Sequence, residues 1–287
     1  MDPSASPNDE AIDLWNTTLF DKFQRFQWLL TEGLGVHGTR MLELLPARPG
    51  ERVLDIGCGF GDMSAQLADQ VGPSGEVVGV DAAQRFVETS ATLNEGREQL
   101  RFVCSDAETS QLGEGFDIVA SRFGTMFFAS PVAALRNMQR SLKPGGRLQM
   151  VVWRRREDNP WLYLAETCVD RVLGPAEKLE GPSCGPGPFS MAGPDMVSDQ
   201  LLAAGFVAPR FDRVDARLCI GRDPDEAIEF ALALGPAGER LRLGGEAAHA
   251  REPELRAALA ETFRSHLVDG QVWAAASTWV VSAHRPS

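Results

Sequence analysis

VLDIGCGFGD, residues 53–62, sets a short apolar run against three glycines at alternate positions, Gly57, Gly59 and Gly61. A β-branched, apolar run closed by glycine reads as a buried strand. Glycine lacks a Cβ, so it permits positive φ and lets a backbone press against a ligand. The helix expected from Asp62 presents free N–H groups in its first turn. In open α/β sheets ligands bind beyond the carboxyl ends of the strands, where this loop falls. Dinucleotides use a wider spacing, G-x-G-x-x-G, with a pyrophosphate on the helix N-terminus. Here the spacing is G-x-G-x-G, with Asp55 before it and Asp62 after it. Asp55 there repels a diphosphate and suits a ligand with an ammonium group, and Asp62 at the helix start adds to the repulsion. Gly61 has two readings, a ligand contact or close packing of the helix.

Outward from this loop, strand and helix alternate to about residue 153. ERVLDIG, GEVVGVD, LRFVCSD, FDIVASRF and RLQMVVW are apolar, strand-like runs. DMSAQLADQVG, AAQRFVETSATLNEG and SPVAALRNMQRSLKPGG between them are helical, the last with Ser130 as N-cap, Pro131 at its first position and a Pro-Gly-Gly stop. Parallel strands need crossovers, so the pattern is a doubly wound α/β sheet with helices on both faces. VAPRFDRVDARLCI and VWAAASTWVVSAHRP add two strands, which makes seven. Residues 11–31 read as one helix, and GTRMLELLPA as another. A Gly/Pro-rich loop or lid spans GPAEKLEGPSCGPGPFSMAGP, and two amphipathic helices precede the last strand. The expected organisation is a helical extension over 1–48, a ligand-binding core over 49–153, and the rest of the sheet with a helical insertion and substrate pocket over 154–287.

The 287 residues are 44% hydrophobic and 24% charged, enough for a large core. A formal charge of -12 and a pI near 4.9 argue against a nucleic-acid partner or an anionic membrane surface, because both are bound through Lys and Arg. No apolar run nears the ~18 residues that span a bilayer. The opening MDPSASPNDE has neither basic nor apolar signal-peptide regions and reads as a frayed tail. Five cysteines lie scattered without a C-x-x-C pair, which points to reduced thiols in a cytoplasm and to no metal site. Cys58, inside the glycine loop, reads as a compact spacer.

Two more acids close successive strands: Asp81 after GEVVGV and Asp106 after LRFVCS. A carboxylate has two acceptor oxygens and so can take both hydroxyls of a ribose. An acid on the next strand can accept from an adenine amino group. A glycine loop with three acids on successive strand ends describes a nucleoside with a cationic tail, and S-adenosylmethionine has that form. In order, VLDIGCGFGD, VVGVDAAQ, VCSDAE, FDIVASRFGTMFF and LKPGGRLQMVVW resemble the motifs of class I S-adenosylmethionine-dependent methyltransferases. The likeness is closest to the small-molecule group with the ubiquinone/menaquinone methyltransferases. It is strong over residues 50–153, weaker over 154–213 and faint elsewhere.

The resemblance implies that Asp55, Gly57 and Gly59 hold the methionine part of the cofactor. It puts Asp81 with Ala82 at the ribose, Asp106 with Ala107 at the adenine, and Ser121 under the methionine part. Trp15, in a WN segment with Asn16, is expected to cover the cofactor, though helix-core packing explains it as well. Arg122 and Phe123 fall at the mouth of the site. Phe127, Phe128 and Trp153, with Trp161 and Phe189, are candidates for an apolar acceptor pocket. His37, in GLGVHGTR, is the one candidate general base. The implied reaction is in-line methyl transfer to the oxygen, nitrogen or carbon of a small organic acceptor, driven mainly by proximity. Two alternatives stay open: a non-catalytic or regulatory S-adenosylmethionine-binding protein, and a nicotinamide-dependent dehydrogenase, which the loop spacing disfavours. The oligomeric state, a homodimer included, is not legible.

Overall fold

A computed structural model describes residues 8–175 and 186–287. Residues 1–7 of the expected frayed tail, and residues 176–185 of the expected Gly/Pro-rich lid with Cys184 among them, lie outside the described residues, while a helix already starts at Asp9 within the expected tail. The strands are β1 (Arg52–Ile56), β2 (Glu76–Asp81), β3 (Leu100–Cys104), β4 (Phe116–Arg122), β5 (Leu142–Trp153), β6 (Val207–Gly221), β7 (Leu267–Val268) and β8 (Gln271–His284). They form one sheet in the order β3-β2-β1-β4-β5-β8-β6, with the two-residue β7 paired on β8. Seven strands thus make the ordered sheet, as the sequence pattern predicts, and β7 is an added hairpin arm. The first five are parallel, while β8 runs antiparallel between β5 and β6.

Chain direction of travel reverses at β1. From there β2 and β3 build outward on one side, β4 and β5 on the other. Such a switch point leaves a crevice at the strands' carboxyl ends. Alternation along β1 divides the core. Leu54 and Ile56 enter one buried cluster with Val78, Val119 and the helices Pro131–Ser141, Pro160–Leu173 and Pro194–Ala203. Val53 enters another with Val77, Ile118, Val151 and the helices Gly35–Leu44 and Asp62–Val71.

Three differences from the sequence pattern have physical causes. The single helix expected over 11–31 is broken into Asp9–Leu14, a wide π turn at Trp15–Leu19, Phe20–Arg25, and a second π turn at Leu29–Gly33. The first π turn re-phases the helix, and Trp15, Phe20 and Phe23 all reach Phe86 edge-on. The Pro-Gly-Gly segment does not separate helix from strand: β5 starts at Leu142, and its register against β4 shifts to absorb the extra residues. Ser130 precedes the helix Pro131–Ser141 but its side chain makes no capping bond. Among the described residues no helix is long and apolar enough to cross a membrane.

Two titratable groups lie inside the core, where the sequence pattern put both at the ligand. Asp55 alternates with Leu54 and Ile56, so its side chain turns under the helix Asp62–Val71 and is fully buried. Ser64 donates to Asp55 Oδ2 at 2.5 Å, while Oδ1 has no partner among the described residues. Burial pushes this carboxyl up to about 7, against the Ser64 bond and the Arg122 charge. The expectation that Asp55 faces the cofactor is therefore corrected: it underpins the loop instead of lining the crevice. His37 is also fully buried, with Nδ1 2.9 Å from Thr278 Oγ1 and its ring edge-on to Trp153 and Phe123. Burial, with the Arg122 charge, pulls it down to about 4. His37 stands behind the cavity wall, which corrects its reading as a base at the site.

The two groups act oppositely on stability. Native Asp55 keeps its proton to about pH 7 and the unfolded chain releases it near 3.8, so this component falls as pH rises through that window. Native His37 refuses a proton that the unfolded chain accepts below 6.5, so its component rises with pH from about 4. The urea stability of Asp55→Asn relative to the parent chain is expected to climb from pH 4 to 7 and then level. A flat difference across that range refutes the buried neutral carboxyl. Gly79 on β2 gives a second test. A Cβ there would stand 2.5 Å from Phe102 Cδ1 and 3.1 Å from Ser64 Oγ. Gly79→Ala should cost roughly 1–3 kcal/mol in urea unfolding through overpacking, and an unchanged midpoint would contradict it.

Candidate functional site

The crevice at the switch point holds a cavity of about 310 Å³. Its floor is the glycine loop. Gly57 has φ 67°, and a Cβ on it would stand 2.9 Å from Gly124 Cα, so the loops after β1 and β4 touch backbone to backbone. The N–H groups of Gly57 and Cys58 donate to Val80 O at 2.8 and 3.1 Å, which ties the loop to β2. Gly61 has φ 78°, and its Cβ would meet the Phe102 ring at 2.7 Å. That decides between its two readings in favour of close packing. A Cβ on Gly59 meets nothing within 4 Å, so the loop is open above that residue. Burial and the nearby Asp81 and Asp55 push the Cys58 thiol well up, as suits a spacer rather than a nucleophile.

At one end the cavity is polar. Asp81 Oδ2 accepts from Gly59 N–H at 3.0 Å and Oδ1 from Ala83 N–H at 3.0 Å. Desolvation raises its pKa against those bonds. Asp106 Oδ1 accepts from Glu108 N–H at 2.9 Å, and Oδ2 accepts from Thr109 Oγ1 at 2.9 Å and from Asn8 Nδ2 at 3.3 Å. Asp106 is thus a turn residue and a wall residue at once. Asp81, Ala82, Asp106 and Ala107 all line the cavity. Glu108 joins them, accepting from Ala129 N–H and Ser130 N–H at 2.8 and 2.6 Å. Ser121 does not line it: the hydroxyl is buried and donates to Ile56 O at 2.8 Å, which braces the loop from below.

The other end is aromatic. Phe123 stacks on Trp153 with centroids 4.1 Å apart and planes at 13°. The series continues through Trp161 to Phe230, with centroid spacings of 5.1 and 6.2 Å. All four rings line the cavity, as do Phe127 and Phe128. Phe189 packs against the core but stands outside the lining. Phe123 holds φ 64°, a left-handed conformation that is rare for a bulky residue. Trp15 closes the top, edge-on to Phe23 and Phe127 at 5.2 Å each. Its neighbour Asn16 accepts from Arg85 N–H at 3.3 Å, at the start of the helix Gln84–Leu93.

The sequence pattern missed Phe86, Phe230 and Leu234 as wall residues. Phe86 sits at a core-like helix position, and the other two on the helix Pro224–Leu234 far along the chain. That helix is tied to the N-terminal segment by Trp28 Nε1 donating to Glu226 at 3.0 Å and by Phe26 against Phe230. The sequence pattern gives Asp62 no role beyond repelling phosphate. It lines the cavity and takes a two-point ion pair from Arg122, Nη1 to Oδ2 at 2.7 Å and Nη2 to Oδ1 at 2.8 Å.

Residues 53–146 match the methyltransferase-domain family. The ubiquinone/menaquinone biosynthesis C-methyltransferase of Ectopseudomonas mendocina is 41% identical over 117 residues, 37% of this chain and 43% of that enzyme. The demethylmenaquinone methyltransferase of Staphylococcus aureus is 35% identical over 141 residues, 48% of this chain and 58% of that one. An uncharacterized transposon protein of Streptomyces fradiae is 37% identical over 125 residues, 43% of this chain and 36% of its own length. The chain thus spans between about a third and three fifths of these relatives. In fold it is similar to the YcgJ protein of Bacillus subtilis, with a TM-score of 0.58 at 18% identity, covering 88% of this chain and 99% of that one. It is also similar to phosphoethanolamine N-methyltransferase 2 of Haemonchus contortus, with a TM-score of 0.55 at 16% identity, covering 96% and 60%. With the loop, the strand order and the matched segment in agreement, residues 53–146 are a methyltransferase domain.

Proposed function

We propose that the chain moves a methyl group from S-adenosylmethionine to a small, largely apolar organic acceptor. The observation that carries this reading is the division of one cavity into an acid-lined end and an aromatic end. The fit is chemical. Asp81 offers two carboxylate oxygens at the wall, Gly59 leaves the loop open above it, and Ala82 and Ala107 present small surfaces to a flat base. When bound, the cofactor supplies a methyl group on a sulfonium that is already a good leaving system. Asp81 would accept the ribose hydroxyls, and Asp106 the adenine amino group. Trp15 and the N-terminal helices would exclude water over them.

The ring series Phe123, Trp153, Trp161 and Phe230 would hold the acceptor beside the methyl group, so that the gain is one of proximity and orientation. Among the described residues, the titratable side chains that line the cavity are Cys58, Asp62, Asp81, Asp106, Glu108 and Arg122. Of these, Arg122 adjoins Phe123 of the aromatic series, and a guanidinium is not a base. This favours an acceptor whose reacting atom needs no protein base, such as an unprotonated amine, an ionised oxygen or an electron-rich carbon. The free thiols Cys58, Cys104, Cys168 and Cys219 support a reducing compartment such as the cytoplasm.

Two measurements check the reading. Titration calorimetry should show S-adenosylhomocysteine binding and no NAD binding; the reverse would return the chain to the dehydrogenases. Asp81→Ala should weaken S-adenosylhomocysteine by roughly 1–3 kcal/mol, since it removes the acceptor for two hydroxyls. Unaltered affinity would strip Asp81 of its ribose role. Turnover with panels of apolar aromatic acceptors separates a transferase from a binder that does not catalyse.

A further inference from the structure

The geometry points to Asp62 and Arg122 as a preformed clamp for the α-amino-acid end of the cofactor, with Asp62 taking the ammonium and Arg122 the carboxylate. The assignment rests on the cofactor reading above and adds two residues to it. Asp81 and Asp106 follow β2 and β3, on one side of the switch point. A nucleoside anchored there extends its tail across the glycine loop toward β4. Arg122 ends β4, and Asp62 opens the helix after the loop. Both line the cavity, with 11% and 22% of their side chains exposed.

The pair looks costly for a purely structural device. A desolvated ion pair returns little net stability, and here it occupies the wall of a cavity. Arg122 uses one N–H from each terminal nitrogen on Asp62 and makes no other hydrogen bond among the described residues. The rest of its planar fork is left for a second carboxylate, the group that such a fork fits best. A zwitterion presents the mirror image of this pair, so neither Asp62 nor Arg122 loses a counter-charge when it binds. A lone anionic acceptor would compete with Asp62 and leave that carboxylate uncompensated.

The surroundings hold the arginine in place. A Cβ on Gly38, in the helix Gly35–Leu44, would stand 2.9 Å from Arg122 Cδ and 3.3 Å from Nη1. The glycine therefore leaves the channel through which the arginine side chain runs. Gly38 is a positioning residue by this argument and touches no ligand.

The test compares S-adenosylhomocysteine, which carries the amino-acid tail, with 5′-methylthioadenosine, which lacks it, by calorimetry on the full chain. Arg122→Met should weaken the first by about 10- to 100-fold and leave the second within about threefold. Asp62→Asn should do the same, and Arg122→Lys should lie between parent and Met because it keeps charge without the fork. Gly38→Ala should follow the arginine variants in direction while leaving methylthioadenosine affinity alone. Retained methylthioadenosine binding also shows that a variant is folded. If Arg122→Met does not fold, the Lys and Asn variants carry the comparison. Equal losses for both ligands, or none for S-adenosylhomocysteine, overturn the clamp alone. Unchanged S-adenosylhomocysteine affinity with a raised acceptor KM makes Arg122 an acceptor anchor and also overturns it. A parent chain that binds neither ligand overturns the cofactor reading and the clamp together.

Discussion

Everything at the crevice depends on one contact, the backbone of Gly57 against the backbone of Gly124. β1 and β4 are neighbours in the sheet, and at their carboxyl ends the chain leaves in two directions. Side chains at either glycine would drive the two loops apart. With both bare, the loops seal the cavity floor, and Ser121 pins the seal from below through Ile56 O. The left-handed backbone at Phe123, next to Gly124, follows from the same constraint. The chain must turn sharply there to bring one ring onto Trp153 and the next backbone onto Gly57. Local strain of this kind persists where the surrounding structure over-determines it.

The acids divide by depth, and depth decides what each can do. Asp55 lies under the sheet-covering helix, short of hydrogen bonds and reluctant to ionise. Asp81 and Asp106 stand at the rim, held by backbone N–H groups that fix their direction. Asp62 stands at the same rim, matched by a guanidinium. A row of three equivalent carboxylates facing a cation, the picture that strand ends alone suggest, is thus replaced by two rim acids held by backbone N–H groups, one balanced pair and one core acid. A diphosphate is still disfavoured, because the loop that would cradle it carries Asp81 on its own N–H and Asp62 at the helix start.

The cover comes from both ends of the chain. The N-terminal helices supply Trp15 and Phe23, and the insertion between β6 and β7 supplies Phe230 and Leu234. Phe26 on Phe230, Trp28 on Glu226 and Arg25 on Glu229 join the two. The aromatic wall is accordingly continuous from the sheet to the cover. Its apolar character favours the burial of apolar over charged surface.

By itself the sequence determined what depends on neighbours along the chain. The alternating strands and helices, the glycine loop, the acids at the ends of β2 and β3, and the helix Asp62–Val71 with its stop at Gly72 are all local patterns with local causes. Only the tertiary structure decided what depends on facing. Period-two alternation turns Asp55 to Ser64 on one face of the sheet, while Leu54 and Ile56 turn into the core on the other. Asp62 and Arg122 meet across 60 residues, and His37 and Thr278 across 241. The π turn that swings Trp15, Phe20 and Phe23 onto Phe86 has no signature in the spacing of the apolar residues. Periodicity records that a side chain is buried, but not which distant surface buries it, because that partner is chosen by the packing of the whole.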